Sequence, residues 1–257
     1  MIDCHCHLAD HAFDDDIDEV VANAKSAGVV SAVVVPEFAS DFPRTMELAA
    51  RFPDFIYPCL GVHPVQKGYR SMNMDTDFEG VEEAIRKNKI YGIGECGLDF
   101  SPRFLPDKDV NRQHQLEAFR RQAQLANELK IPLNVHSRAA GRQVIEALLD
   151  FKMETGVLLH CFDGSVKNAL KGIQAGFYFS IPPIFSLNEK KREFIEKIPI
   201  EQLCLETDSP VLGVERGARN EPKYIIHSAN FIADVKKIPV EEVIRITTLN
   251  ARRLFRI

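Results

Sequence analysis

Short runs of apolar and β-branched residues recur along the whole chain, at 2–7, 29–35, 55–61, 90–95, 132–136, 157–161, 177–181 and 203–207. Between them apolar positions fall three and four apart, as in Ile17, Val20, Val21 and Ala24, or Leu116, Phe119, Ala123 and Ala126. That is the spacing of a helix with one buried face. Strand and helix therefore alternate, and the order predicts an α/β fold with a parallel sheet. Runs with few polar interruptions suit strands covered by helices. Eight repeats of about 32 residues predict a single (β/α)8 TIM barrel over 1–257, with no linker or low-complexity tract to divide it. An open doubly wound sheet shares the alternation, but no G-x-G-x-x-G or phosphate-binding loop follows the first run.

The connections are lopsided. Helix-to-strand links are short turns such as Ala27-Gly28 and Ala175-Gly176, whereas the strand-to-helix links at 36–43, 61–75, 97–111 and 209–221 are long and carry Gly, Pro and Asp. Elaboration at one end only places a functional site at the C-terminal ends of the strands.

Residues able to do chemistry collect at that end. His5 and His7 stand two apart in the first run, so a strand's period of two turns both imidazoles to one face and sends Cys4 and Cys6 to the other. Glu95 ends the fourth run, His136 the fifth and His160 the sixth, and Asp208 follows the eighth. Taken singly, Glu95 also suits a helix-cap partner and Asp208 an Asx turn opening the Ser209-Pro210 loop. Together, four histidines and two carboxylates at one barrel mouth need a cation, because buried carboxylates require pairing or a metal. Six ligands exceed the three of a mononuclear catalytic zinc site, so two divalent metal ions are expected, with Glu95 bridging them. Such donors suit Zn²⁺, Mn²⁺, Ni²⁺ or Fe²⁺, while Mg²⁺ prefers oxygen ligands yet can support activity.

His63, in Gly61-Val62-His63-Pro64, enters the same mouth, to orient a ligand or contact substrate. Arg138, two residues past His136, offers forked donors to a phosphate, a surface ion pair being its alternative fate. Arg219 and Asn220, beyond Asp208, are weaker candidates of the same kind. Phe38, Phe100, Phe104 and Phe185 lie in loops where they either stack on bases or pack the rim. His114 and His227 fall in helical patterns and read as solvated.

Composition narrows the partners. Against 32 Lys and Arg stand 37 Asp and Glu, a formal charge of −5, so the surface offers no broad electrostatic funnel for duplex nucleic acid. Two divalent ions beside Glu95 and Asp208 would still leave a local anion-seeking pocket, which favours a phosphate-bearing substrate. The six cysteines include no C-x-x-C and read as reduced, buried thiols. No run approaches a membrane span and the N-terminus lacks a signal-peptide pattern, so a cytoplasmic or nuclear location is expected.

Several motifs stand in order: Ile2-Asp3-Cys4-His5-Cys6-His7-Leu8, Gly61-Val62-His63-Pro64, Gly92-Ile93-Gly94-Glu95-Cys96-Gly97-Leu98-Asp99 and Pro132-Leu133-Asn134-Val135-His136-Ser137-Arg138. Leu159-His160-Cys161-Phe162, Leu205-Glu206-Thr207-Asp208-Ser209-Pro210, Arg219-Asn220-Glu221-Pro222 and Asn250-Ala251-Arg252-Arg253-Leu254-Phe255 complete the set. In this the sequence resembles the TatD family of metal-dependent deoxyribonucleases, in the third TatD-domain subgroup of animals. The resemblance implies an amidohydrolase-type TIM barrel with His5, His7, Glu95, His136, His160 and Asp208 as metal ligands. Glu95 stands in place of the strand-four lysine that bridges metals in many amidohydrolases. The chain departs from the family at Asp163, where many relatives carry a hydroxyl residue, and in the loop at 65–75.

The expected activity is hydrolysis of DNA phosphodiester bonds as a 3'-5' exonuclease. A hydroxide held between the metals attacks phosphorus in line, Asp208 accepts its proton, and Arg138 and His63 meet the substrate. Single-stranded or frayed 3' ends are the expected DNA partner, with no membrane and no obligate protein partner. The rival readings are a small-molecule amidohydrolase or lactonase and a non-catalytic metal-binding scaffold.

Overall fold

Ten strands and ten helices make up the computed structural model, which describes residues 1–257. The strands are β1 (Ile2–Cys6), β2 (Ser31–Val34), β3 (Ile56–Leu60), β4 (Val65–Gln66), β5 (Arg70–Ser71), β6 (Gly92–Gly97), β7 (Leu133–His136), β8 (Val157–Leu159), β9 (Tyr178–Ile181) and β10 (Leu203–Leu205). The helices are α1 (Ile17–Ser26), α2 (Phe42–Arg51), α3 (Met74–Asp77), α4 (Val81–Lys87), α5 (Lys108–Leu129), α6 (Gly141–Asp150), α7 (Val166–Gln174), α8 (Lys190–Lys197), α9 (Ile226–Lys236) and α10 (Val240–Phe255). Eight strands pair in parallel in the order β1-β2-β3-β6-β7-β8-β9-β10. The expected eight-stranded α/β barrel is thus present.

Where β10 meets β1 the sheet closes through a few bonds near the site. The Asp208 N–H donates to the His5 carbonyl at 2.9 Å and the His7 N–H to the Ser209 carbonyl at 2.8 Å. Asp3, fully buried, accepts from the Thr207 N–H at 2.9 Å and its hydroxyl at 2.5 Å. Burial outweighs those bonds and pushes the Asp3 carboxyl up to about 7.

Two apolar layers follow from the strand alternation. Ala32, Val34, Leu133 and Val135 join Val20, Phe119 and Ile145 of the surrounding helices in one large core. Val33, Val35, Cys59, Leu158 and Cys204 come from strands on all sides and fill the inside of the barrel. Leu254 and Phe255 at the end of α10 pack into this inner cluster, with Phe255 bordering Gly92 at the start of β6. They plug the end opposite the strand C-termini.

Three local readings need correction. The strict alternation expected in β1 is broken by a register shift between Asp3 and Cys6, so Cys4 joins the inner cluster while Cys6 faces the helices. Glu95 lies inside β6 rather than at the end of its strand, which runs on to Gly97. The loop at 61–75 contains the antiparallel β4–β5 hairpin. The loop after β6 ends at Asp107, whose side chain caps α5 by accepting from the Val110 N–H at 3.2 Å. All six cysteines are free, five buried and Cys161 half-buried. No helix is long and apolar enough to cross a membrane.

Candidate metal centre

Glu95 organises the centre because its two oxygens face different sets of histidines. Oε2 lies 3.5 Å from His5 Nε2 and 3.5 Å from His7 Nε2, and Asp208 Oδ1 stands 3.4 Å and 3.1 Å from the same two nitrogens. Oε1 lies 2.7 Å from His136 Nδ1, 3.0 Å from His160 Nε2 and 3.6 Å from His63 Nε2. All six residues expected as ligands are brought together, and His63 joins them. Three triads have donor atoms close enough to share an ion: His5, His7 and Glu95; His5, His160 and Asp208; and His63, Glu95 and His136.

The space for this packing comes from Gly94. A Cβ there would fall 2.6 Å from the Asn134 carbonyl oxygen, so only glycine lets β7 approach this closely. Asn134 then places Oδ1 2.8 Å from His5 Nδ1 and donates its amide to the Cys4 carbonyl at 2.9 Å. His7 is oriented in the same way, its Nδ1 lying 3.0 Å from the Val35 carbonyl. On the far side, Asp99 Oδ2 stands 3.3 Å from His136 Nε2, and Glu206 Oε2 stands 3.6 Å from His160 Nδ1. Glu206 also accepts from Ser180 and, at 3.0 Å, from the Cys161 N–H.

Asp3, Asp99, Asn134 and Glu206 are functional candidates that reading the strand ends missed. For Asn134 the signal was available: it precedes His136 by two residues within β7, which puts it on the same strand face, whereas Glu206 lies just past β10, where alternation no longer applies.

The electrostatics suit a cation. Burial disfavours the imidazoliums, yet the facing carboxylates prevail: His5 and His160 are pushed up to about 10 and His7 to about 9. Glu95 and Asp208 are held far below the usual carboxylate range although burial works against that. His63 behaves oppositely, since its burial outweighs the charge on Glu95 and drives it down to about 4. The buried Nε2 of His5 points between two carboxylates and has no hydrogen bond of its own. A cluster that gathers protons as countercharge, around an unpartnered imidazole nitrogen, has the donor set and charge of a divalent-metal site.

Around the centre, a cavity of 140 Å³ is walled in part by His7, His63, Arg138, His160 and Asp208. Arg138 is exposed at this mouth, in a loop that Asp163 braces by accepting from the Ala139 N–H at 2.8 Å. Arg219 does not serve the mouth. Its guanidinium binds Asp16 at 2.5 Å, Glu221 at 3.2 Å and the Ala12 carbonyl at 2.6 Å. Asn220 is buried and donates to the Thr207 and Val211 carbonyls at 2.8 Å and 2.7 Å, bracing the segment that carries Asp208. Phe104 and Phe185 are buried, while Phe38 and Phe100 are half-buried. His114 is half-buried and accepts from the Met74 N–H at 3.0 Å, and His227 is also half-buried.

A (β/α)8 barrel that gathers histidines and carboxylates in a buried cluster at its mouth has the layout of a metal-dependent hydrolase. The chain belongs to the TatD related DNase family, whose model matches residues 2–256. It is 45% identical to the human protein named deoxyribonuclease TATDN3, over 99% of this chain and 94% of that one. A Bacillus subtilis protein named uncharacterized metal-dependent hydrolase YabD is 37% identical over 100% of this chain and 99% of its own. Among solved structures, the Escherichia coli TatD homologue YJJV gives a TM-score of 0.88 at 27% identity, covering 100% of this chain and 98% of that one.

Proposed function

We propose that this chain is a DNA phosphodiesterase that holds two divalent metal ions, Zn²⁺, Mn²⁺, Ni²⁺ or Mg²⁺, and removes nucleotides from 3' ends. The observation that carries the reading is the division of Glu95, one oxygen towards His5 and His7 and the other towards His136 and His160. Asp208 completes the first group. The family's name and that of the human relative support DNA as the substrate.

Bound divalent ions polarise phosphoryl oxygens and bring the pKa of water towards neutrality. The protein's part is to hold the reacting groups. Asp208 is ionised throughout the working pH range and accepts the proton of the attacking water. Arg138, exposed at the mouth, pairs with nonbridging phosphate oxygens. His63 stays neutral and borders the phosphate from the β3 side. The candidate ligands other than His7 are buried at the floor of the barrel mouth, where an internal phosphate of a rigid duplex reaches them less readily than a single strand, which supports entry from a free or frayed end.

The test compares a single strand, a 3'-recessed duplex, a blocked 3' end and a closed circle under one metal and one salt concentration. Stepwise loss from free 3' ends is expected. Cleavage of the circle as fast as the linear strand would overturn end entry. Turnover of lactones or amides with none of phosphodiesters would assign the barrel to small-molecule hydrolysis. Full metal loading with no turnover under any divalent ion would make it a scaffold.

A further inference from the structure

The base of the β4–β5 hairpin orients His63, whose Nδ1 accepts from the Val65 N–H at 3.0 Å, and its tip, remote from the metal centre, has an unusual conformation. The chain turns there through left-handed backbone at Gly68 (φ 78°) and Tyr69 (φ 58°). That region is uncommon for a residue with a Cβ, and the turn carries the tyrosine outward until it is 80% exposed. Its ring lies 10° from parallel to the buried Phe104 ring at a centroid distance of 6.4 Å, and Arg103 lies 4.4 Å from that same Phe104 ring.

Tyr69, Arg103 and Phe104 border a cavity of 360 Å³ beside the barrel mouth. The two spaces are continuous in their walls, since Glu37, His63 and Arg138 line both. Three cations face this cavity: Lys67, Arg103 and Arg138. Lys67 is already paired with Asp41 at 3.3 Å, but neither Arg103 nor Arg138 has a carboxylate partner. The acidic residues on the wall are Glu37 and Asp99, and Asp99 is engaged by His136 at 3.3 Å and by the Ser101 N–H at 2.9 Å.

In a chain of net charge −5, two guanidiniums without carboxylate partners and a solvent-facing aromatic ring line one cavity. They match the two halves of a nucleotide, a planar base for the ring and a phosphate for the guanidinium fork. We infer that this cavity binds the nucleotide adjoining the scissile phosphate, with its base stacked on Tyr69 and its outer phosphate held by Arg103. The inference rests on the phosphodiesterase reading and adds a substrate subsite to it.

Steady-state kinetics of the metal-loaded full chain test it, with trithymidylate and bis(p-nitrophenyl) phosphate as the two substrates. The ratio of their kcat/KM values isolates what the extra nucleotides contribute. Tyr69→Ala lowers that ratio about tenfold, chiefly through KM for the trinucleotide, as loss of one stacked base implies. Tyr69→Phe, which keeps the ring face, restores it. Arg103→Gln raises KM for the trinucleotide and flattens the slope of log KM against log salt by about 0.7, the loss of one phosphate contact to a single strand. Circular dichroism confirms that the exposed-tip variants fold. An unchanged ratio in Tyr69→Ala, with both substrates cleaved by the wild type, overturns the subsite alone. A wild type that cleaves neither substrate overturns the phosphodiesterase reading and the subsite with it.

Discussion

The imidazole rings of His5 and His160 lie face to face, with centroids 3.7 Å apart and planes 7° from parallel. Both are drawn towards the charged form by Glu95, although two stacked imidazoliums repel each other. Metal ions that replace those protons remove the repulsion and still neutralise Glu95 and Asp208, so the arrangement is better suited to metal than to protons.

The first prediction follows from the sign of these shifts. His5, His7 and His160 have folded-state values of about 10, 9 and 10, above their ordinary 6.5. Their contribution to stability is therefore complete below about 6.5, shrinks as pH rises and is gone above about 10. The urea midpoint of metal-free protein should fall between about pH 7.5 and 10. Metal-saturated protein, whose ligands have already lost their protons, should hold its midpoint over the same range. A metal-free midpoint that rises would contradict the assignment.

Glu95→Gln removes the negative charge between the two histidine groups and leaves an amide with only one acceptor oxygen. Elemental analysis of dialysed protein should find two ions per wild-type chain and at most one in the variant. Two ions retained in Glu95→Gln would rule out a bridging role.

Asp208→Asn keeps the backbone bond to His5 that helps close the barrel, so the variant should fold. An amide cannot accept the proton, and kcat should drop by about 10²–10⁴. Wild-type turnover in a folded, metal-loaded variant removes Asp208 from the mechanism.

Arg138→Ala should raise KM for a phosphodiester while leaving the metal content at two ions, because a guanidinium does not ligate a cation. Arg138→Lys should recover part of the loss, a point charge replacing a fork. Loss of metal in the alanine variant would instead make Arg138 a support of the centre.

Gly94→Ala places a methyl 2.6 Å from the Asn134 carbonyl oxygen and 2.7 Å from its Cβ, neither of which is a flexible side-chain end. Melting should reveal a loss of about 1–3 kcal/mol, the usual cost of overpacking. Metal titration should also give weaker binding, since Asn134 is pushed away from His5. Unchanged stability and affinity would mean that β6 and β7 can separate freely.

The chain alone determined the alternation of strand and helix, the placement of loops at one end, and the gathering there of His5, His7, Glu95, His136, His160 and Asp208. These are consequences of local periodicity, 2 for strands and 3.6 for helices, together with the rule that parallel strands in a barrel point the same way. Closure of the sheet decided what no local pattern encodes: the opposite facing of the two Glu95 oxygens, the stack of His5 on His160, and Asp3 buried at the seam beneath Thr207. The register shift in β1 brought Cys4 inside, and contacts across long sequence separations committed Arg219 to Asp16 and left Arg103 and Arg138 unpaired beside Tyr69. Side-chain partners of this kind depend on which strands become neighbours and in what register, and only the packed barrel specifies both.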